Sequence, residues 1–460
     1  MVHSTLIDKK FASENIGKLI LQFSIPSIIG ALVLAFYNVM LRIFVGQEFG
    51  PLGISGLALA FPFLIMIISF STLISAGAGS RISIALGEND KDKAERLIGN
   101  ALILTVVISI LISTISYFFM HDLLRLFGGT DKTIQYAEDL MVVIIPGSIF
   151  AALTGVFNTI MRSSGYPRKA MLTLIINTFL NMIMTPIFIF IFHWGIQSVA
   201  IAINTAYFVC SVWVLTHFIS NKSNIRLYRK NLRLEKSLVI AILNIGLAPF
   251  SVQLATSFIM ILVNATLIKY GGDLAIGAYT IVNSLNILII MNIVGLNLGT
   301  QPIIGFNYGA KLYSRMFTTL KYACVIATIF MSIGFVLGFF CSNYIASLFS
   351  SDPKFQSITA KALQISVLMY PIKGLQIVVT NFIQSVGKAK LSIFIGFTYE
   401  FLFLIPALAL LPNKFGLNGV WLSLPFADGL AAVVTAFTFF YFLRKFKDEN
   451  LPQVINEFGN

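Results

Sequence analysis

Apolar residues fall along this chain in long blocks separated by short polar turns and one long basic segment. A helix that crosses a bilayer needs about 20 apolar residues. The blocks predict helices over 16–45, 53–80, 95–119, 136–162, 168–192, 195–219, 238–268, 275–304, 316–340, 359–385, 388–410 and 416–443. Several exceed the bilayer width, which implies tilt or extension beyond it. The pattern therefore predicts an all-α integral membrane protein with twelve transmembrane helices. The residues before the first block are polar and that block is too long for a signal-peptide core, so it is expected to stay as a span.

Composition agrees with the pattern. Of 460 residues, 57% are hydrophobic and 11% charged, against about 25% charged in soluble domains; mean hydropathy is +0.87. The charges that exist fix an orientation. With both termini in the cytoplasm, the inner loops collect most of the Lys and Arg, above all in 221-NKSNIRLYRKNLRLEK-236. Only Arg125, Lys132, Lys269, Lys354, Lys361 and Lys414 fall on the outer side, and Arg42 and Lys373 lie within spans. The expectation is a multi-pass protein of the cell membrane whose net charge of +13 reflects topology and contact with anionic lipid. Basic residues scattered over separate loops exclude a nucleic-acid partner. Cys210, Cys324 and Cys341 sit in apolar blocks and give neither a metal spacing nor a disulfide framework. The His are scattered, and 77-GAGSRIS-83 lacks the third glycine and strand of a dinucleotide loop.

The basic segment divides the chain into two similar halves. At an offset close to 222 residues, Pro26 matches Pro249, Gly50 matches Gly272, Gly87 matches Gly309, 163-SSG-165 matches 385-SVG-387, Pro186 matches Pro406 and Gly195 matches Gly416. Six spans each give the halves the same orientation, so the predicted relation is a pseudo-two-fold along the membrane normal. The expected organisation is an N-terminal lobe (1–220), a cytoplasmic linker (221–237) and a C-terminal lobe (238–460) around a central cavity. Such repeats favour alternating access.

The most informative motif is 295-GLNLGTQPIIGFNYGAK-311. Glycines four apart let helices approach closely. Pro302 removes a backbone bond, and Gln301 and Asn307 can satisfy the freed groups. The stretch resembles the multidrug and toxic compound extrusion family, whose second lobe carries a G-x-G-x-Q-P-x-x-G-x-N-x-G-A run; Gly299, Gln301, Pro302, Gly305, Asn307 and Gly309 match its core. Further resemblance lies in 264-NATLIKYGGDLAIGAYTIV-282, in Pro26, in the frame from Tyr37 to Val45-Gly46, and in 416-GLNGVWLSLPFADGL-430. The resemblance implies a secondary antiporter that expels amphipathic or cationic compounds against protons or sodium.

Two departures bear on coupling. Where many members carry an acid in the first span this chain has Leu41, followed by Arg42. Before the proline of the fifth span it keeps Asn177 and Asn181 but has Thr185 in place of an acid. One branch of the family has an acid where this chain has Lys373. A buried arginine costs roughly 2.5–3.5 kcal/mol. Arg42 acts as a fixed cation in place of a bound ion, snorkels to the headgroups, or contacts an anionic substrate. Glu400 lies mid-span and Asp428 follows Pro425 in the last span. Intramembrane acids mark ion paths, so both are candidate coupling sites, and Lys373 is expected to pair with Glu400. Asp428 also matches an acid seen in the family's last span.

The expected cavity lining mixes aromatic, amide and Met side chains: Tyr37, Asn38, Asn158, Asn177, Asn181 and Gln253, then Met260, Asn264, Asn283 and Met291. Met adapts to varied ligands. The expected protein is a monomer with small-molecule substrates, not an enzyme, with no metal or cofactor, coupled to H+ in preference to Na+. The alternative is a flippase for lipid-linked saccharides of the same fold superfamily, to which buried cations would suit a diphosphate.

Overall fold

Runs of Leu, Ile, Phe and Val leave a bilayer-embedded backbone no water to bond, so each segment must satisfy its own N–H and C=O groups by coiling. The computed structural model describes the backbone of residues 11–126, 131–220, 223–349 and 352–458. Some side chains inside helices, among them those of Asn38, Arg42 and Met260, fall outside the description. Among the described residues the regular elements are helices and no strand occurs. In order they are α1 (Ile16–Gly87), α2 (Lys91–Phe118), α3 (Met120–Leu126), α4 (Asp131–Ser163), α5 (Pro167–Pro186), α6 (Gln197–Ile219), α7 (Lys236–Gly309), α8 (Tyr313–Phe340), α9 (Ser342–Phe349), α10 (Pro353–Ser366), α11 (Tyr370–Ser385), α12 (Ala389–Phe397), α13 (Ile405–Phe415) and α14 (Leu417–Phe458). Two π-helical stretches, Ile187–Ile191 and Thr398–Leu404, continue α5 and join α12 to α13.

Among the described residues, eleven helices are long and apolar enough to cross a bilayer, and the bent pair α10–α11 would make a twelfth. That pair corrects the single span expected over 359–385: a 51° bend separates the two pieces. Pro371, in the first turn of α11, has no N–H to donate back and suits a helix start. Within α7, Gly272 breaks the helix with φ 63°, ψ −161°, a conformation side-chain-bearing residues avoid. The break expected between the blocks 16–45 and 53–80 is not seen: the helical backbone of α1 runs through it from Ile16 to Gly87. Side chains such as Phe118 (78% exposed) and Phe437 (72%) stand on the outside, where lipid rather than water is their solvent.

The chain packs as two compact units. The described residues up to Glu14 together with Ile25–Phe250 form the first; Asn15–Ser24 together with the described residues from Ser251 onward form the second. In the first, α4 packs on α6 and α2, around a core that includes Tyr37, Leu41, Val45, Phe63 and Met141. The first part of α7 also belongs here. A Cβ on Gly77 would run into the carbonyl of Ile242, and one on Gly246 into the carbonyl of Leu73. The two helices therefore meet backbone to backbone, where only glycine fits.

The basic segment is fastened to the first unit. The Leu227 N–H donates to the Phe218 carbonyl (3.0 Å), the Arg226 N–H to Glu95 Oε1 (3.3 Å) and the Glu235 N–H to Asn100 Oδ1 (2.8 Å). Arg96 pairs with Glu235 at 2.9 Å. In the second unit α8 packs on α11 and α13 on α14, about a core that includes Trp421, Val263, Leu267, Ala278 and Ala427. Here Gly299 faces Ser24, whose backbone a Cβ would strike.

Candidate functional site

The second unit holds a buried charge cluster made by three irregular helices. Restarting after the bend, α11 presents Tyr370 and Lys373, three residues apart and so on one face. The π-helical stretch carries Tyr399 and Glu400; its extra residue per turn is a device found most often at functional sites. In α14, Asp428 follows Pro425 by three residues.

Lys373 Nζ lies 3.1 Å from Asp428 Oδ1 and 3.3 Å from Oδ2. Asp428 is 2% exposed and the Lys373 side chain 15%. This corrects the expected Lys373–Glu400 pair: the carboxylate that neutralises Lys373 is on the last helix. The ammonium also stands 5.1 Å from the ring centre of Tyr399 and 6.0 Å from that of Tyr370, within the range of cation–π attraction. The Tyr370 hydroxyl donates to Asn286 Oδ1 at 3.1 Å. Glu400 is buried beside this group, in electrostatic reach of Tyr279 and Tyr399.

The first unit has amides and hydroxyls where the second has charges. Tyr37 donates to Asn181 Oδ1 (3.3 Å), and Asn181 Nδ2 donates to the Asn177 carbonyl (2.9 Å). Thr185, fully buried, sits against the Tyr37 hydroxyl. Leu41 is packed into the apolar core, so neither position of the missing acids is filled by another charge.

Arg162 escaped the sequence reading, which counted it with the loop cations. It is 5% exposed. Its Nη2 donates to Asn158 Oδ1 (2.7 Å) and its Nη1 to Ser27 Oγ (3.5 Å), while Asn158 Nδ2 donates to the Ala170 carbonyl (2.7 Å). Among the described residues it has no carboxylate partner. The network ties α4 and α5 to the residue after Pro26. An Asn four residues before an Arg at a helix end was the available signal.

Of the other expected residues, Gln253, Asn264, Asn283 and Met291 are partly buried in α7. Asn38, Arg42 and Met260 lie outside the described side chains. Gln301, Pro302 and Gly305 are buried. Asn307 donates to the Ile303 carbonyl (2.8 Å) and accepts from Arg315 Nε (3.3 Å), which secures the end of α7 beside Gly309. Among the described residues no group of three His, Cys, Asp or Glu could hold a metal ion.

Comparison with known proteins places this geometry in context. The MatE family model matches residues 26–187 and 249–407. Multidrug export protein MepA of Staphylococcus haemolyticus (strain JCSC1435) is 24% identical over 427 residues, covering 93% of this chain and 94% of the relative. MepA of Staphylococcus aureus (strain NCTC 8325 / PS 47) is 24% identical over 438 residues, covering 94% and 95%. Among solved structures, a MATE in the bent conformation superposes with a TM-score of 0.91 at 22% identity, covering 98% of this chain and 100% of the other. A MOP superfamily transporter from Pyrococcus furiosus gives 0.87 at 23% identity, covering 94% and 96%.

Proposed function

Because the chain belongs to the MatE family of multidrug and toxic compound extrusion transporters, we propose that it is a secondary antiporter that exports amphipathic organic cations in exchange for protons. Its termini and the basic segment face the cytoplasm, and it works as a monomer. The observation that supports proton coupling is where the buried acids lie. Apart from Glu95, one turn into α2 and occupied with the basic segment, the buried acids among the described residues are Glu400 and Asp428, both in the second unit. The first unit offers Leu41 and Thr185 instead, which cannot hold sodium by charge.

The competing reading, a flippase for lipid-linked saccharides, needs cations free to meet a diphosphate. Arg162 favours it, since Asn158 and Ser27, to which it donates, are neutral. Lys373 does not, because Asp428 already neutralises it. The test is reconstitution into liposomes with ethidium inside and an imposed proton or sodium gradient. Efflux driven by the proton gradient alone supports the reading. Efflux driven only by sodium, or none at all, rejects it.

A further inference from the structure

A carboxylate with two phenol rings beside it is the chemistry that recognises an organic ammonium: one opposite charge and aromatic faces for the cation to lie against. In the second unit that arrangement exists and is already filled. The occupant is the protein's own Lys373 ammonium, held by Asp428 at 3.1 Å and flanked by Tyr399 and Tyr370. The rings come from two different elements, α11 and the π-helical stretch, and the carboxylate from a third. Tyr370 is itself positioned by Asn286 of α7. A pair that only joined two helices would not need this surround.

We propose that the cage formed by Asp428, Tyr370 and Tyr399 is a binding site for a monovalent organic cation, and that Lys373 is its internal competitor and the group that releases the exchanged proton. The inference rests on the export reading above and names the site and the proton carrier within it. The step balances. The cation takes the place of the ammonium at the Asp428 carboxylate; one N–H bond of Lys373 breaks, its electron pair stays on nitrogen as the free amine, and the proton leaves to solvent. Before and after, the cage holds one positive and one negative charge. If the ammonium kept its proton, two cations would share one buried carboxylate, and a buried charge without a partner neutralises instead. Return of a proton to Lys373 rebuilds the pair and expels the cation. Among the described residues, the other titratable groups in electrostatic reach are the phenols of Tyr279, Tyr370 and Tyr399 and the Glu400 carboxylate; none of them carries the ammonium that the exchange requires.

The experiment uses the purified full-length protein in detergent, weakly buffered, with a pH-sensitive dye and ethidium as the probe. Wild type is expected to release one proton for each ethidium bound. Lys373→Arg keeps the charge and the pair but cannot give up its proton. It is expected to melt like wild type, to release no proton, and to bind ethidium at least about tenfold more weakly. Should Lys373→Arg fail to fold, the neutral double variant Lys373→Met/Asp428→Asn takes its place, with loss of both binding and release expected. Wild-type binding and proton release in Lys373→Arg, or in the double variant, overturns the proposal. So does ethidium binding to wild type with no proton released; both outcomes leave the export reading standing. Absence of ethidium binding to wild type, together with absence of efflux from liposomes, overturns the export reading and this site with it.

Discussion

Removing one member of the Lys373–Asp428 pair should destabilise the protein far more than removing both. At 3.1 Å and an effective dielectric near 20, the Coulomb attraction is about 5 kcal/mol. Taking both ions out of water offsets most of this, so the pair's net worth is small. The single variants are a different matter. Lys373→Met leaves a carboxylate that is 2% exposed without its cation, and Asp428→Asn leaves the ammonium beside Tyr399 and Tyr370 without the anion it contacts. Each is expected to lose about 3–5 kcal/mol, whereas Lys373→Met/Asp428→Asn should stay within about 1–2 kcal/mol of wild type. The assay is equilibrium unfolding in mixed detergent micelles, read as a double-mutant cycle. Losses that add to within about 0.5 kcal/mol would refute the coupling. A parallel cycle with Glu400→Gln in place of Asp428→Asn should give the smaller coupling of the two.

Gly246→Ala, whose new Cβ meets the Leu73 carbonyl, should cost at least about 1–3 kcal/mol by overpacking; unchanged melting in detergent would argue against the backbone contact. Arg162→Lys keeps the charge but loses the fork that reaches both Asn158 and Ser27, and should lower stability by about 1–3 kcal/mol in the same unfolding assay. Arg42→Ala should slow ethidium efflux at equal protein in the membrane if the guanidinium serves as a fixed cation in the first half of the chain; normal rates would reject that role.

Hydropathy reveals depth along a span but not rotation about it, and that difference decided what could be read in advance. The helix blocks were visible because each carries about 20 apolar residues, and the family because the Gly299-to-Gly309 motif is specific. The partner of Lys373 was not. Asp428 is 55 residues away, and Glu400 and Asp428 both lie within predicted spans; only the helix rotations distinguish them. The bend between α10 and α11 was missed because its residues, 367–369, read as apolar as the helices around them, although Pro371 marked a possible start. Arg162 was misplaced because a Ser-Ser-Gly helix end looks like the edge of the membrane, and charge at such an edge is expected in solvent. Its burial depends on Ser27, far away in sequence, as well as on the nearby Asn158.

The fastening of the basic segment bears on how the chain can be divided for expression. A cut anywhere in 221–236, the natural place to divide a chain of two similar halves, would not produce two self-sufficient fragments. The first would lack Lys236–Phe250, whose backbone seats Gly77, and part of the segment that Glu95 and Asn100 hold. The second would lack Asn15–Ser24, which Gly299 is shaped to receive. Each fragment would need a piece carried by the other, so the halves should be recovered only when co-expressed. A reporter attached at Arg229 or Lys230, both exposed, would register the motion of the first unit.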